Sequence, residues 1–179
     1  GWKVFAVSDV PEVYLPGISG DSSRMQNVFR KVGLPIDRQS LNRKVKDYID
    51  SLDELNLVWV EKCLVLRAGT IRYIKRKFPG CIICFYSGDD MFARHNQSFY
   101  FKSALPLYDF CFTTKSYNAN QCELPSMGAR RVIFVDKSYD PDYCRPITVT
   151  DDERKNLASD VGFVGSYESH RAGMLVNIA

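Results

Sequence analysis

Charged and polar residues follow two apolar runs of this chain, at the points where each run stops. The runs cover residues 81–86 and 110–113; Asp89 and Asp90 come after the first, and Lys115 and Asn118 after the second. Continuous apolar runs of this length are typical of strands that are buried on both faces of a parallel sheet. Ligands of such sheets collect outside the carboxyl ends of the strands. The sequence therefore predicts a site for a polyol or a phosphate, the alternative being that the aspartates only cap the next helix.

Further polar residues extend the same predicted edge. His95, Asn96 and Gln97 lie in the loop that contains the aspartates, and Glu61 and Lys62 follow the apolar run 57–60. His95 is an alternative general base or a plain surface histidine, and Asn96 and Gln97 either bond ligand hydroxyl groups or start a helix. For Glu61 and Lys62, an ion pair within the protein is at least an equal alternative to ligand contact.

Alternating strands and amphipathic helices would position these residues. Strands are predicted at residues 2–7, 57–60, 81–86, 110–113 and 131–135, and helices at 22–32, 41–52, 68–78, 97–104 and 118–126. Ser22 or Ser23 and Ser40 are the expected caps of the first two helices. The alternation predicts an α/β fold, with right-handed βαβ units forming an open parallel Rossmann-like sheet and helices on both faces.

The pattern changes after residue 135. Residues 136–152 contain two prolines, several aspartates and no periodicity, which indicates a linker. Residues 160–166 then predict a new strand that ends in glycine and leads into a helix. We expect residues 1–150 to form one Rossmann-like domain, including this linker, and residues 153–179 to begin a second.

Composition limits the classes of partner and site. A formal net charge of +3 is too small to argue for nucleic acid. The cysteines at 81, 84 and 111 lie in predicted buried strands and are predicted to be core residues, and no Cys/His spacing predicts a metal site. Reduced buried thiols favour a cytoplasmic location. No membrane span is predicted, while peripheral association with a membrane stays open.

Taken in order, the motifs resemble those of GT-B glycosyltransferases, specifically the bacterial group related to spore-maturation glycosyltransferase-like proteins. They include L-V-W-V-E-K at 57–62, Y-S-G-D-D-M at 86–91, H-N-Q-S at 95–98, Y-D-F-C-F-T-T-K-S-Y-N at 108–118, G-A-R-R-V-I-F-V at 128–135, Y-D-P-D-Y-C-R-P at 139–146 and D-V-G-F-V-G-S-Y-E-S-H-R at 160–171. The resemblance covers nearly all of the chain from Leu57 onward. It implies that the domain lacks its first strand and that the chain is truncated at both ends.

The resemblance also implies an activity and roles for residues. The expected reaction moves a sugar from a nucleotide-sugar donor to a hydroxyl of an acceptor glycan, lipid or protein, with no metal and no other cofactor. This chain would supply the acceptor half of the cleft, with Asp90 preferred over Asp89 as general base if the enzyme inverts. Mutual repulsion of the two carboxylates would raise one pKa. Gly165, Ser166 and Arg171 would meet the donor diphosphate, Arg171 replacing the commoner lysine of family 4 glycosyltransferases.

Two other readings remain open. The first is a non-catalytic module on the same scaffold that binds a glycan or a protein. The second is a receiver-type signalling domain, which also gathers Asp and Lys at strand ends. Such a domain needs an early acidic pair, whereas residues 8–10 supply only Asp9.

Overall fold

The computed structural model describes residues 1, 3–9, 24–160, 162–165 and 167–178, the side chains of 24–27 and 178 excepted. The predicted caps Ser22 and Ser23, and Trp2 of the first predicted strand, lie outside these residues. The chain divides into two compact units, Gly1–Ser138 and Tyr139–Ala179. The boundary falls within residues 136–152, where the sequence predicts a linker.

The first unit contains a parallel sheet of four strands in the order β1-β2-β3-β4. The strands are β1 Leu57–Glu61, β2 Ile82–Ser87, β3 Phe110–Thr113 and β4 Val132–Phe134. In the register Val60 lies opposite Phe85, and Phe85 lies opposite Cys111. The predicted α/β class and open parallel sheet are therefore confirmed, and each of these four strands lies where its apolar run predicts it.

Helices make up most of the other regular structure in the described residues. They are α1 Arg24–Lys31, α2 Leu41–Asp50, α3 Ala68–Lys77 and α4 Phe99–Ala104 in the first unit, and α5 Asp151–Leu157 and α6 Ser169–Ile178 in the second. The helix predicted at 118–126 is instead a pair of short 3-10 turns, Ser116–Ala119 and Pro125–Met127. A further 3-10 turn, Arg94–Asn96, occupies part of the loop after β2, so α4 begins two residues later than predicted.

The core lies on one face of this sheet. Val60, Ile83, Phe85 and Cys111 point to that face, where helices α2, α3 and α4 contribute buried residues that include Ile49, Ile71 and Phe101. The strand order explains this arrangement. Because right-handed crossovers between consecutive neighbouring strands all run on the same side, they place their helices on one face.

The opposite face carries aromatic side chains that α2, α3 and α4 leave uncovered. Trp59 stacks on both Tyr86 and Phe112, with ring centroids 5.8 and 5.4 Å away, and 52% of Trp59 is exposed. Leu57 and Ile82 on the same face are also exposed. The prediction of helices on both faces is thus met on only one face of the sheet in the described part of this unit.

Helix caps show a second difference from prediction. Ser40 precedes α2 but has a φ of 51° and makes no capping hydrogen bond with its side chain. The Asp37 carboxylate accepts the backbone N–H groups of Leu41 and Asn42 instead, at 2.7 and 3.0 Å. Asp37 reaches these donors from outside the helix because the turn between it and Leu41 folds back.

Two predicted strands are not formed in the described residues. Residues 3–7 have no strand pairing, although the Phe5 ring packs 5.3 Å from that of Tyr48 on α2. Residues 162–165 also lack regular structure. Apolar sequence alone does not make a strand when no neighbouring edge offers hydrogen bonds.

In the second unit, α5 begins inside the segment predicted as linker. The Thr150 side chain accepts the Glu153 N–H, while the Glu153 carboxylate accepts the Thr150 N–H, which forms a capping box. The spacing T-x-x-E was the signal for this helix. Elsewhere in the chain, the three cysteines predicted as core residues are buried, as is Cys63, whereas Cys122 and Cys144 are exposed. Among the described residues, no helix is long and apolar enough to cross a membrane.

Candidate functional site

The carboxyl edge of the sheet brings together one charged residue from beyond each strand. Lys62 follows β1, Asp89 follows β2, Lys115 follows β3 and Lys137 follows β4. The Lys62 ammonium contacts the Asp89 carboxylate directly and lies 3.3 Å from Oδ1 of Asn96. The hydrogen bond from Lys62, together with the positive charges of Lys115 and Lys137, lowers the pKa of Asp89 below its usual range.

Lys62 reaches this position through an unusual backbone conformation. Its φ is 23°, a value that side-chain-bearing residues rarely adopt, and its N–H donates to the Tyr86 carbonyl at 2.9 Å. Strained residues of this kind concentrate at functional sites. The conformation turns the chain at the end of β1 and carries the lysine side chain to the loop after β2.

Asp90, the preferred base in the sequence, is held by the loop itself. Its Oδ1 accepts hydrogen bonds from the backbone of Phe92 and Ala93 at 3.0 and 3.2 Å and from Nδ2 of Asn118 at 2.8 Å. The bond from Asn118, with those from the backbone, lowers the pKa of Asp90. The expectation that one aspartate of the pair has a raised pKa is therefore wrong, since each carboxylate has its own donors.

Asn118 joins the loops that follow β2 and β3. It is fully buried; Nδ2 donates to both Asp90 and Glu123, and Oδ1 accepts the Met91 N–H at 2.9 Å. All the hydrogen-bonding groups of this amide are thereby used inside the protein. Asn118 therefore positions the loops rather than offering its side chain to a ligand.

The other predicted site residues of this loop either bond the loop itself or are exposed to solvent. Gln97 donates to the backbone carbonyls of Met91 and Phe92 at 3.0 and 2.6 Å, and Asn96 donates to the Asp90 carbonyl at 2.9 Å. Both close the loop on itself. His95 is exposed in the 3-10 turn and lies close enough to Asp90 to help lower the pKa of that carboxyl group. Of Asn96 and Gln97, only Asn96 also contacts Lys62.

A cleft of about 440 Å³ lies beside this loop. It is lined by Phe92, Arg94, Gln97, Lys102 and Met127. The Gln97 amide forms part of its wall and also bonds the loop backbone, so the fold of the loop shapes the cleft. Two cationic side chains, an aromatic ring and a thioether give it an amphipathic lining.

In the second unit, two of the three predicted diphosphate-binding residues lie close together. A Cβ added to Gly165 would come within 3.6 Å of the Arg171 guanidinium. Arg171 stands in the first turn of α6, over the Phe163 ring, and pairs with Glu168 at 3.1 Å. Ser166 lies outside the described residues.

Two residues of the edge were missed by the sequence interpretation. Lys137 obeys the strand-end rule that selected Lys62 and Lys115, and applying that rule to the strand at 131–135 would have found it. Glu123 had no signal, because its role depends on the buried Asn118. In the described part of the chain, no group of His, Cys, Asp and Glu side chains is placed to hold a metal ion.

Comparisons with known proteins do not identify a family for this chain. No family model matches the chain, and no curated protein or solved structure shows significant similarity to it. The resemblance to GT-B glycosyltransferases therefore depends on the sequence motifs and their order alone.

Proposed function

We propose that the chain supplies the acceptor side of a glycosyltransferase that moves a sugar from a nucleotide-sugar donor to an acceptor hydroxyl. The observation that carries the proposal is the meeting of Lys62, Asp89 and Asn96 at the carboxyl edge, within the field of Lys115 and Lys137. Ammonium and carboxylate groups on one open edge suit a polyhydroxylated, partly anionic ligand. The reduced buried cysteines and the nucleotide-sugar donor fit a cytoplasmic location.

Within this proposal, the carboxylate that meets the acceptor is Asp89. Its side chain is 53% exposed, whereas that of Asp90 has its donors inside the loop. A carboxylate with a lowered pKa stays ionised at neutral pH and accepts a hydrogen bond from a hydroxyl, but it is a weak base. Asp89 therefore orients the acceptor hydroxyl, and exposed His95 is the side chain left for proton removal in an inverting reaction.

On the donor side, Gly165 and Arg171 of the second unit would meet the diphosphate. A glycine lets the ligand approach the backbone, and a guanidinium stabilises the charge of the departing nucleoside diphosphate. This assignment follows from the resemblance and from the closeness of the two residues. A metal ion is not needed for that stabilisation if the arginine and helix-end amides supply it.

The test is turnover by the full-length protein with a panel of nucleotide sugars, measured as nucleoside diphosphate release and as mass gain of added glycan acceptors. We expect Asp89→Asn to lower turnover about 100-fold, because a misplaced acceptor loses the benefit of orientation. Asp53→Asn, at an exposed position after α2, is the matched control and should leave turnover unchanged. Absence of transfer from every donor, or equal rates for Asp89→Asn and the parent, would contradict the proposal.

A second candidate function is a glycan- or protein-binding module without catalysis. The lowered pKa of both Asp89 and Asp90 favours it, since neither carboxylate is tuned as a base near neutral pH. Saturation-transfer NMR with the same glycans separates the two functions. Binding that Asp89→Asn weakens, together with no consumption of any nucleotide sugar, would support the module.

A further inference from the structure

A second cleft, of about 440 Å³, opens at the amino edge of the sheet. Asp109 immediately precedes β3, and Arg130 lies just before β4, so both mark the edge opposite to Lys62 and Asp89. This second cleft, called the basic cleft below, is lined by Ile71, Arg72, Lys75, Arg76, Leu107, Asp109 and Arg130. Because strands of a parallel sheet all run the same way, this basic cleft is separate from the candidate site for sugar transfer.

The only carboxylate of the basic cleft is already neutralised. Lys75 Nζ lies 2.5 Å from Oδ2 of Asp109, which also accepts the Ile83 N–H at 2.7 Å. Burial alone would raise the pKa of Asp109, but the hydrogen bonds from Lys75 and Ile83 outweigh it and lower that pKa. The ion pair thus contributes no net charge, and the three arginines leave the cleft strongly positive.

None of these arginines has a carboxylate partner within ion-pair distance among the described residues. Arg72 and Arg130 are exposed, and Arg76 lies 5.9 Å from the Tyr73 ring centroid, a contact that leaves its N–H groups available. Three guanidinium groups with unused donors therefore surround one opening.

Helix electrostatics explain only part of this arrangement. Basic residues in the last turn of α3, Lys75 and Arg76 among them, complement the negative end of the helix dipole. Arg72 stands in the middle of α3, and Arg130 comes from the loop before β4, so neither gains from that dipole. Their convergence on the same cleft requires a different explanation.

We propose that the basic cleft binds a phosphate-bearing ligand through Arg72, Arg76 and Arg130. Guanidinium groups match phosphate oxygens in pairs, and such charge-assisted hydrogen bonds are the strong ones. Ile71 and Leu107 add an apolar part to the lining. The phosphate belongs either to a soluble phosphate compound or to a lipid headgroup, and the two sources are separated by experiment.

The experiment uses the whole chain and two probes. Isothermal titration calorimetry measures binding of inorganic pyrophosphate, and co-sedimentation measures binding to vesicles of phosphatidylcholine, alone or mixed in equal parts with phosphatidic acid. Each of Arg72→Gln, Arg76→Gln and Arg130→Gln should weaken pyrophosphate binding about ten-fold, the usual scale of one charge-assisted hydrogen bond. Lys44→Gln, at an exposed basic position on α2 outside the cleft, is the matched control. Circular dichroism confirms that each variant is folded.

Binding of pyrophosphate that the arginine variants weaken and Lys44→Gln does not would support the proposal. If vesicles with phosphatidic acid sediment more protein than vesicles of phosphatidylcholine alone, and the arginine variants lose this difference, the lipid headgroup is the source of the phosphate. If the two kinds of vesicle sediment equal amounts of protein, the source is a soluble phosphate. No saturable binding of either probe, or equal weakening by Lys44→Gln, would overturn it. Pyrophosphate binding that all three arginine variants leave unchanged would belong to another site, such as the diphosphate site proposed at Gly165 and Arg171, and would also overturn the proposal for the basic cleft.

Discussion

Replacing Asn118 by alanine tests whether one buried amide holds the loops of the candidate site. The change leaves the Met91 N–H buried without a partner, which costs about 1–3 kcal/mol. Asp90 and Glu123 each lose a donor, but water reaches them, so these two losses add only about 1 kcal/mol together. We therefore expect Asn118→Ala to lower the free energy of unfolding by about 2–4 kcal/mol.

Urea denaturation followed by tryptophan fluorescence measures this change, because Trp59 lies on β1 in the sheet of the first compact unit. Asn120→Ala is the matched control. Asn120 is exposed two residues further along, and its replacement should cost under about 0.5 kcal/mol. A loss below about 1 kcal/mol for Asn118→Ala, or a loss equal to that of the control, would refute the assigned role.

The same variant has a predicted pH signature. The hydrogen bond from Asn118 is the first cause of the lowered pKa of Asp90 in the folded protein. A carboxyl group whose folded pKa is depressed stabilises the fold above its unfolded pKa, and that stabilisation is lost as the pH falls through the folded pKa. The stability difference between the parent and Asn118→Ala should therefore shrink as the pH falls below about 4. A difference that grows on acidification would contradict the assignment.

Three further predictions concern the rest of the molecule. Tyr108→Phe should leave the free energy of unfolding unchanged or raise it by up to about 1 kcal/mol, because the buried Tyr108 hydroxyl finds no hydrogen-bond partner in the described part of the chain. A loss above about 1 kcal/mol would show that it has one. Asp37→Ala should lower the free energy of unfolding by about 1 kcal/mol, because α2 loses its cap. Ser40→Gly should raise the free energy of unfolding, since glycine tolerates the positive φ at that position. Calorimetry that finds Asp37→Ala more stable than Ser40→Gly would refute the assigned cap. In native protein, a thiol reagent should label Cys122 and Cys144 quickly and the other four cysteines only after unfolding, so fast labelling of a third thiol would contradict the burial pattern.

The four strands of the sheet could be predicted because their apolar runs are continuous and end at small polar residues. The strand-end rule then located Lys62, Asp89 and Lys115 at one edge. The sequence could not reveal that adjacent residues make different contacts. Asp89 and Asp90 have the same chemistry in the sequence, yet one faces Lys62 and the other is held by Asn118, which depends on the path of the loop.

The sequence patterns also did not predict which residue caps α2 or which face of the sheet the helices cover. Ser40 stands where a cap is expected, but the left-handed turn directs the chain so that Asp37 reaches the free N–H groups first. The aromatic residues of the strands predict burial on both sides, and nothing in their spacing says which side the crossover helices take. That choice follows from the order of the strands, which becomes known only with the fold.

The half-exposed Trp59 gives the molecule an internal optical reporter. Its indole lies on the aromatic face of the sheet and stacks on Tyr86 and Phe112, away from the buried core. In a Trp2→Phe background its emission is accessible to a soluble quencher such as acrylamide, and any molecule that settles on this face would reduce quenching and shift the emission to the blue. Occupancy of that face can therefore be followed by fluorescence in solution, without a label and without knowing beforehand what occupies it.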